Sequence, residues 1–231
     1  ADGENVGVVT PARAMMMAMR DVADAPVGEL AVRQDYEIPG PAGKIPARLY
    51  DCRTEREAGP IMVFFHGGGF VIGNVETHEP YCAEACRLLD MPVISIDYRL
   101  APEHPFPAGV QDCEAAARWV AENGAALGLD LTGMVLSGDS AGGNLTIVTA
   151  MALRDRPAAL PVILQHPIYP VVSEHQDWQS MQDFAQGYLL TEDSINYFSE
   201  ATQADPADWR SAPLNFDQTG MPPTMITTAG L

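Results

Sequence analysis

A serine between two glycines is the residue best suited to chemistry in this sequence. Ser140 lies in the pentapeptide Gly-Asp-Ser-Ala-Gly, after an apolar run over 133–137 and before a helix-like run over 141–153. A Gly-x-Ser-x-Gly turn between a strand and a helix is the nucleophile-elbow pattern, which presents the serine at a cleft above the N-terminus of the helix. Gly138 and Gly142 are expected there because side chains would clash in so tight a turn. An ordinary glycine-rich turn has the same sequence, and only the flanking strand and helix favour a nucleophile.

A glycine triplet is the second candidate for chemistry. Gly67, Gly68 and Gly69 follow an apolar run over 61–65, and without side chains their N–H groups can approach a ligand closely. The tetrahedral intermediate of acyl transfer carries an oxyanion, to which the N–H of Ala141 would add a further donor. A lone triplet could be a flexible turn, but together with the elbow it forms the arrangement of lipases and esterases. The sequence leaves open which two glycines donate.

Strands and helices that alternate along the chain must position these residues. The alternation predicts an α/β fold with a mostly parallel sheet and helices on both faces. In such sheets ligands bind at the C-terminal ends of the strands, where both motifs lie. A first helix is predicted from Thr10-Pro11, followed by a hairpin. The hairpin strands are predicted over 32–38 and 45–50, further strands over 61–65, 92–96, 160–165 and 225–228, and helices over 80–89 and 108–122.

Composition excludes several classes of partner. The net charge of −18 argues against nucleic acid and anionic membrane surfaces, and the apolar run over 61–65 is far too short to span a membrane. The four cysteines form no CxxC framework. Cys82 and Cys86 are expected to be core thiols rather than metal ligands, and a reducing, cytoplasmic location is expected.

Longer motifs extend these two patterns into a family resemblance. The chain resembles bacterial esterases of the hormone-sensitive-lipase-like family, also called family IV of the bacterial lipolytic enzymes. The resemblance covers nearly the whole chain and rests on the segments 66–70, 97–108, 138–144, 187–190, 211–214 and 220–223.

The resemblance implies an α/β-hydrolase fold with a helical cap. It implies a hydrolase of short- to medium-chain carboxylic esters that needs no cofactor. Ser140 matches the nucleophile, and the oxyanion-hole region is matched by Gly67, Gly68, Gly69 and Ala141. The segment 97–108 matches a structural signature to which we assign no catalytic step.

The cap would be built from two parts of the chain. Residues 173–213 break the alternation of strands and helices and hold aromatic side chains among polar ones, although a simple surface excursion would look the same. We predict an N-terminal part of the cap over 1–28, a core over 29–172, the cap insertion over 173–213 and a second core part over 214–231.

The sequence departs from the family pattern where the acid and base of a triad are expected. In this fold the acid and then the histidine follow the nucleophile, and in the family the acid follows the strand predicted over 225–228. We therefore expect both beyond Leu231, and residues 1–231 alone to be nearly inactive. Asp139 is not expected to orient a distant imidazole. We expect a structural role for His66. The other histidines are expected to be exposed or to have their hydrogen bonds satisfied within the fold: His78, His104, His166 and His175.

Two other functions remain open at this stage. A small-molecule-binding protein without turnover could use the same fold, and a serine amidase or peptidase could use the same elbow. The expected partner is a small ester substrate, with no nucleic acid and no membrane span. A homodimer is one option for the assembly.

Overall fold

The computed structural model describes residues 2–173 and 178–229, and a six-stranded sheet lies at its centre. The strand order is β1-β2-β4-β3-β5-β6. The first hairpin and the β2–β4 pair are antiparallel, whereas β4, β3, β5 and β6 run parallel. The predicted α/β fold with an N-terminal hairpin and a mostly parallel sheet is therefore confirmed. The strands are β1 (Val32–Gly40), β2 (Gly43–Asp51), β3 (Gly59–Phe65), β4 (Val93–Ile96), β5 (Leu131–Asp139) and β6 (Val162–Ile168).

The helices follow the predicted alternation, with one error at the N-terminus. The predicted start at Thr10-Pro11 is wrong, because the first helix runs through Pro11. A proline inside a helix removes one hydrogen bond and its ring clashes with the preceding turn, which costs about 3 kcal/mol. Val9, two residues earlier, is buried in an apolar cluster that stabilises the continued helix. The α-helices are α1 (Asp2–Ala23), α2 (Glu79–Leu89), α3 (Ala108–Glu122), α4 (Ala141–Asp155), α5 (Gln179–Asp183) and α6 (Glu192–Thr202).

Strand β3 is buried on both faces of the sheet. Ile61, Val63 and Phe65 belong to the larger core cluster, which includes residues of α3 and α4, whereas Met62 and Phe64 pack in a second cluster with residues of α2. Successive side chains of a strand point to opposite faces, so the continuous apolar run supplies both cores. Helices therefore cover both faces of the sheet, as predicted.

The thiols of α2 are core residues, as predicted. Cys82 and Cys86 are fully buried, and all four cysteines are free. The sequence did not predict the cluster around Cys86. A carboxylate oxygen of Asp51 and the sulfur atoms of Cys52 and Cys86 all lie within 4.8 Å of one another, close enough to hold a metal ion. The Asp51 carboxylate, however, already binds the Arg56 guanidinium at 2.7 Å, which disfavours a metal ion there.

The last predicted strand is only partly present. Instead of a regular strand over 225–228, isolated bridges join Gln165 to Thr224 and Ile168 to Thr227. Proline has no N–H to donate, so Pro167 in β6 and Pro223, whose carbonyl accepts the Gln165 N–H, each remove a hydrogen bond from a continuous ladder. Among the described residues, no helix is long and apolar enough to cross a membrane.

Candidate active site

Ser140 lies in a strained turn between β5 and α4. Its φ of 55° and ψ of −113° are unusual for a residue with a side chain. The turn is held by the Ser140 N–H, which donates to the Ile168 carbonyl at 2.8 Å, and by the Val171 N–H, which donates to the Ser140 carbonyl at 3.2 Å. Both partners come from β6 and the loop after it, so the elbow is fixed by the neighbouring strand.

The two glycines beside this turn are required by their surroundings. A Cβ atom on Gly138 would lie 2.4 Å from the carbonyl oxygens of Phe65 and Gly142. A Cβ on Gly142 would lie 1.9 Å from the Phe65 oxygen. The predicted steric need for both glycines is confirmed, and the structure adds that the main obstacle is the end of β3.

The glycine triplet forms a loop directly after β3, beside the elbow. The Gly67 N–H donates a hydrogen bond to the Asp139 carboxylate over 2.8 Å. Gly68 and Gly69 have φ values of 114° and 61°, which favour glycine. Their N–H groups make no hydrogen bond within the described part of the chain. Because Ala141 begins α4, its N–H is one of those without an intrahelical acceptor.

Asp139 contacts a histidine that the sequence did not place beside it. The Nε2 atom of His78 lies 3.3 Å from the Asp139 carboxylate, and its Nδ1 atom lies 2.9 Å from the Thr77 hydroxyl. Burial raises the pKa of Asp139, but His78 and the Gly67 N–H outweigh it and leave the pKa below its ordinary value. Sequence reasoning missed this contact because residues 78 and 139 are far apart along the chain and only the fold brings them together.

His66, a buried residue at the start of the glycine loop, supports the loop through its ring. Its ring stacks on Tyr98 with centroids 4.3 Å apart, and its Nδ1 lies 2.8 Å from the Gly67 carbonyl. Burial, with a smaller contribution from His78, lowers the pKa of His66 to about 3, so the imidazole is neutral near pH 7. These contacts support the structural role predicted for His66.

The signature segment 97–108 holds the same loop in place. The Tyr98 hydroxyl donates to the His66 carbonyl at 2.7 Å, and the Ala101 N–H donates to the Phe70 carbonyl at 2.9 Å. Arg99 is paired with the buried Asp112 of α3, which fixes the segment to the core. The segment thus positions the glycine loop, a role that sequence reasoning did not assign.

A cavity of about 290 Å³ opens beside Ser140. Its lining includes Phe70, Phe106 and Val110 together with residues of the segment 178–213. Those residues include Met181, Leu190, Ile195 and Phe198. The lining is largely apolar, and its charged groups are paired, since Arg99 binds Asp112 and Arg210 binds Asp208. Such a cavity suits an apolar group attached to a reacting centre at the serine.

None of the described histidines forms a hydrogen bond with the Ser140 hydroxyl. His66 and His78 belong to the network around the glycine loop. His166 is bound through Nε2 to the Thr227 hydroxyl at 2.9 Å, while His104 lines the cavity. His175 lies outside the described residues.

The fold and the site define a protein class. A strained serine elbow after a central parallel strand, next to a glycine loop, is the arrangement of α/β-hydrolases. The family model described as alpha/beta hydrolase fold matches residues 62–231, and the chain belongs to this family.

The relatives of this chain are named as esterases. It is 40% identical to the carboxylic ester hydrolase LipN of Mycobacterium tuberculosis, over 96% of this chain and 61% of LipN. It is 37% identical to the esterase LipI of the same organism, over 94% of this chain and 70% of LipI. Among solved structures, an esterase of Pyrobaculum calidifontis superposes with a TM-score of 0.86 at 36% identity, over 94% of this chain and 73% of that one. The chain therefore spans 61% of LipN's length and 70% of LipI's.

Proposed function

We propose that this protein is a carboxylic ester hydrolase in which Ser140 is the nucleophile. One observation carries the proposal: the strained Ser140 turn borders an apolar cavity, next to a loop in which Gly68 and Gly69 keep their N–H groups unpaired among the described residues. The names of the relatives support ester hydrolysis over other acyl transfers.

In the proposed reaction the Ser140 Oγ attacks the ester carbonyl carbon. The carbonyl oxygen becomes an oxyanion, the alcohol leaves with a proton, and the acyl group stays on the serine. Water then attacks the acyl-enzyme, releases the acid and restores the hydroxyl. The N-terminus of α4 beneath the serine favours the negative charge that develops in both steps.

We narrow the oxyanion donors to Gly68, Gly69 and Ala141. The sequence also suggested Gly67, but its N–H is already donated to Asp139 and would have to break that bond to reach a substrate. Gly68 and Gly69 form no such bond among the described residues. Removing one donor in an oxyanion hole typically costs about 10²–10³ in kcat.

The base and acid of the triad are proposed to follow Leu231. In support, none of the described histidines hydrogen-bonds to Ser140, and LipN and LipI are longer than the part this chain matches. Loss of the base of a serine hydrolase lowers kcat by roughly 10⁶. Residues 1–231 alone would therefore show little turnover.

The proposed substrates are esters with short to medium acyl chains. The cavity of about 290 Å³ is lined by Phe70, Phe106 and residues of 178–213, and its volume suits an apolar group of limited length. Residues 1–28 and 173–213 are proposed as the cap. A cytoplasmic location, supported by four free cysteines, and a homodimer also remain proposals.

Turnover of p-nitrophenyl esters by the full-length protein tests this function. We expect hydrolysis of the butyrate and hexanoate, a loss of roughly 10⁶ in kcat for Ser140→Ala, and no comparable turnover of the matching anilides. Unchanged turnover by Ser140→Ala would refute the nucleophile. Faster cleavage of the anilides would indicate an amidase, and binding of esters without turnover would indicate a binding protein.

A further inference from the structure

We infer that Phe198 is a positioning residue for the oxyanion donors, through its contact with Gly69. The inference rests on the proposed function, because it assigns a purpose to the conformation of the glycine loop. It also couples this loop to α6, a helix whose residues line the cavity.

The ring of Phe198 occupies the space next to Gly69. A Cβ atom built on Gly69 would lie 2.3 Å from the Cδ2 and 2.4 Å from the Cγ of Phe198, and its three nearest neighbours all belong to this ring. Gly69 has a φ of 61°, and Phe198 also lines the cavity beside Ser140. One ring therefore touches both the candidate donor loop and the space for substrate.

Among Gly67, Gly68, Gly69 and Phe70, only Gly69 has no backbone hydrogen bond of its own within the described chain. Gly67 is held by Asp139. The Gly68 carbonyl accepts from the N–H groups of Val71 and Ile72 at 3.0 and 2.9 Å, and the Phe70 carbonyl accepts from Ala101. Gly69 makes no hydrogen bond with either of its backbone groups in residues 2–173 and 178–229. The bonds to the Gly68 carbonyl also orient the Gly69 N–H, because both groups belong to one planar peptide. A glycine has an unusually large conformational freedom to lose, and the Phe198 ring adds a packing restraint at Gly69 itself.

The helices around Phe198 are themselves attached to the glycine loop. Val71, just after the triplet, shares an apolar cluster with Val9 of α1 and Ala201 of α6, and Phe198 packs against this cluster. From α1, the Arg13 guanidinium donates to the Val71 carbonyl at 2.9 Å. Both helices therefore contact the residues that follow the glycines, and the Phe198 ring extends these contacts to Gly69.

Loss of the Phe198 ring should weaken the stabilisation of the negative charge that develops on the carbonyl oxygen. Removing the ring leaves the Gly69 N–H oriented by the bonds to the Gly68 carbonyl, without the packing at Gly69, so the donor is held less rigidly when the oxyanion forms. We expect Phe198→Ala to lower kcat for esters by roughly 10-fold or more, below the 10²–10³ cost of deleting a donor outright. Because the ring also lines the cavity, a change in KM alone would not support the inference.

A comparison of esters with thionoesters isolates the effect on the donors. A thionoester develops its negative charge on sulfur, which is a weak hydrogen-bond acceptor, so it depends less on the oxyanion hole. With the full-length protein, Phe198→Ala should reduce kcat for the ester more than for the matching thionoester, by about 10-fold in the ratio. Phe198→Leu should restore part of the ratio, and it serves as a second variant in case the alanine variant does not fold.

Ile195→Ala is the matched control, since Ile195 lies on the same helix and lines the same cavity. Its substitution should change both substrates in parallel and leave the ratio intact. An unchanged ratio in both Phe198 variants would overturn the inference, even if both substrates react more slowly. That outcome differs from failure of the proposed function, in which turnover would persist in Ser140→Ala.

Discussion

The carboxylate of Asp139 accepts the backbone N–H of Gly67 over 2.8 Å, across 72 residues of sequence. The residue before the candidate nucleophile thus holds the first glycine of the candidate oxyanion loop. The contact is so close that a Cβ on Gly67 would lie 2.1 Å from the same carboxylate. The two motifs that the sequence presents separately are in the structure one connected unit.

Substitution of Asp139 should therefore affect catalysis without touching the substrate. Asp139→Ala leaves the Gly67 N–H without its acceptor, which typically costs about 1–3 kcal/mol of stability, and we expect kcat to fall with little change in KM. Asp139→Asn keeps an acceptor oxygen and should lose less. Steady-state kinetics and urea unfolding measure both effects.

Asp155→Ala is a suitable control for this experiment. Asp155 ends α4 and forms an exposed ion pair with Arg154, and such pairs contribute little. Its kinetics should match those of the unsubstituted protein. If Asp139→Ala were equally silent, the proposed role of the carboxylate would be wrong.

The flanking glycine of the elbow offers a steric test. Gly142→Ala places a methyl group 1.9 Å from the Phe65 carbonyl oxygen, which neither backbone can accommodate without moving. We expect a loss of about 3 kcal/mol or more, or failure to fold. Gly59→Ala, where the nearest atom would be 3.8 Å away, should change the unfolding free energy by less than about 0.5 kcal/mol. Equal stability of the two variants would contradict the described elbow.

The hydroxyl of Tyr98 supports the glycine loop through the His66 carbonyl. Tyr98→Phe keeps the ring stacked on His66 but leaves a buried carbonyl without its donor. We expect a loss of about 1–3 kcal/mol in urea unfolding. In Tyr36→Phe, where the hydroxyl has no hydrogen bond to the described residues, the loss should be much smaller. A Tyr98 variant as stable as the Tyr36 variant would argue against this support.

His66 should remain neutral far below the usual pH for histidine. Its pKa is lowered to about 3, mainly by burial, whereas in the unfolded chain it would be near 6.5. Between these values the unfolded state binds the proton and the folded state does not. The contribution of His66 to the free energy of unfolding therefore falls as the pH falls, by up to about 1.4 kcal/mol per pH unit.

Site-specific NMR is the right measurement for this prediction, because Asp97 acts in the opposite sense. Burial, followed by Glu76, raises the pKa of Asp97 to about 6, so its contribution increases as the pH falls through that value. From pH 7 to 5 the ring nitrogens of His66 should keep the shifts of a neutral imidazole, with only a small change near pH 6 as the Asp97 carboxylate, 3.9 Å from its Nε2, takes up a proton. Conversion to the shifts of a protonated imidazole near pH 6.5 would show that the ring is not buried as described.

The sequence predicts the sheet and the elbow well because both depend on local patterns. The apolar run of β3 is enough to predict a buried strand, and the glycines around Ser140 are enough to predict a tight turn. The continuation of α1 through Pro11 was missed because packing of Val9 outweighs a local signal. The pairing of Asp139 with His78 and Gly67 was missed for the same kind of reason. These contacts join distant segments, and no spacing rule along the chain reports them.

Covalent labelling of the full-length protein tests the central claim most directly. A p-nitrophenyl alkylphosphonate should transfer one phosphonyl group to the protein and release one equivalent of nitrophenol, and peptide mapping should place the group on Ser140. Ser140→Ala should take up none. Stoichiometric labelling of another residue, or undiminished labelling of Ser140→Ala, would contradict the assignment of Ser140 as the nucleophile.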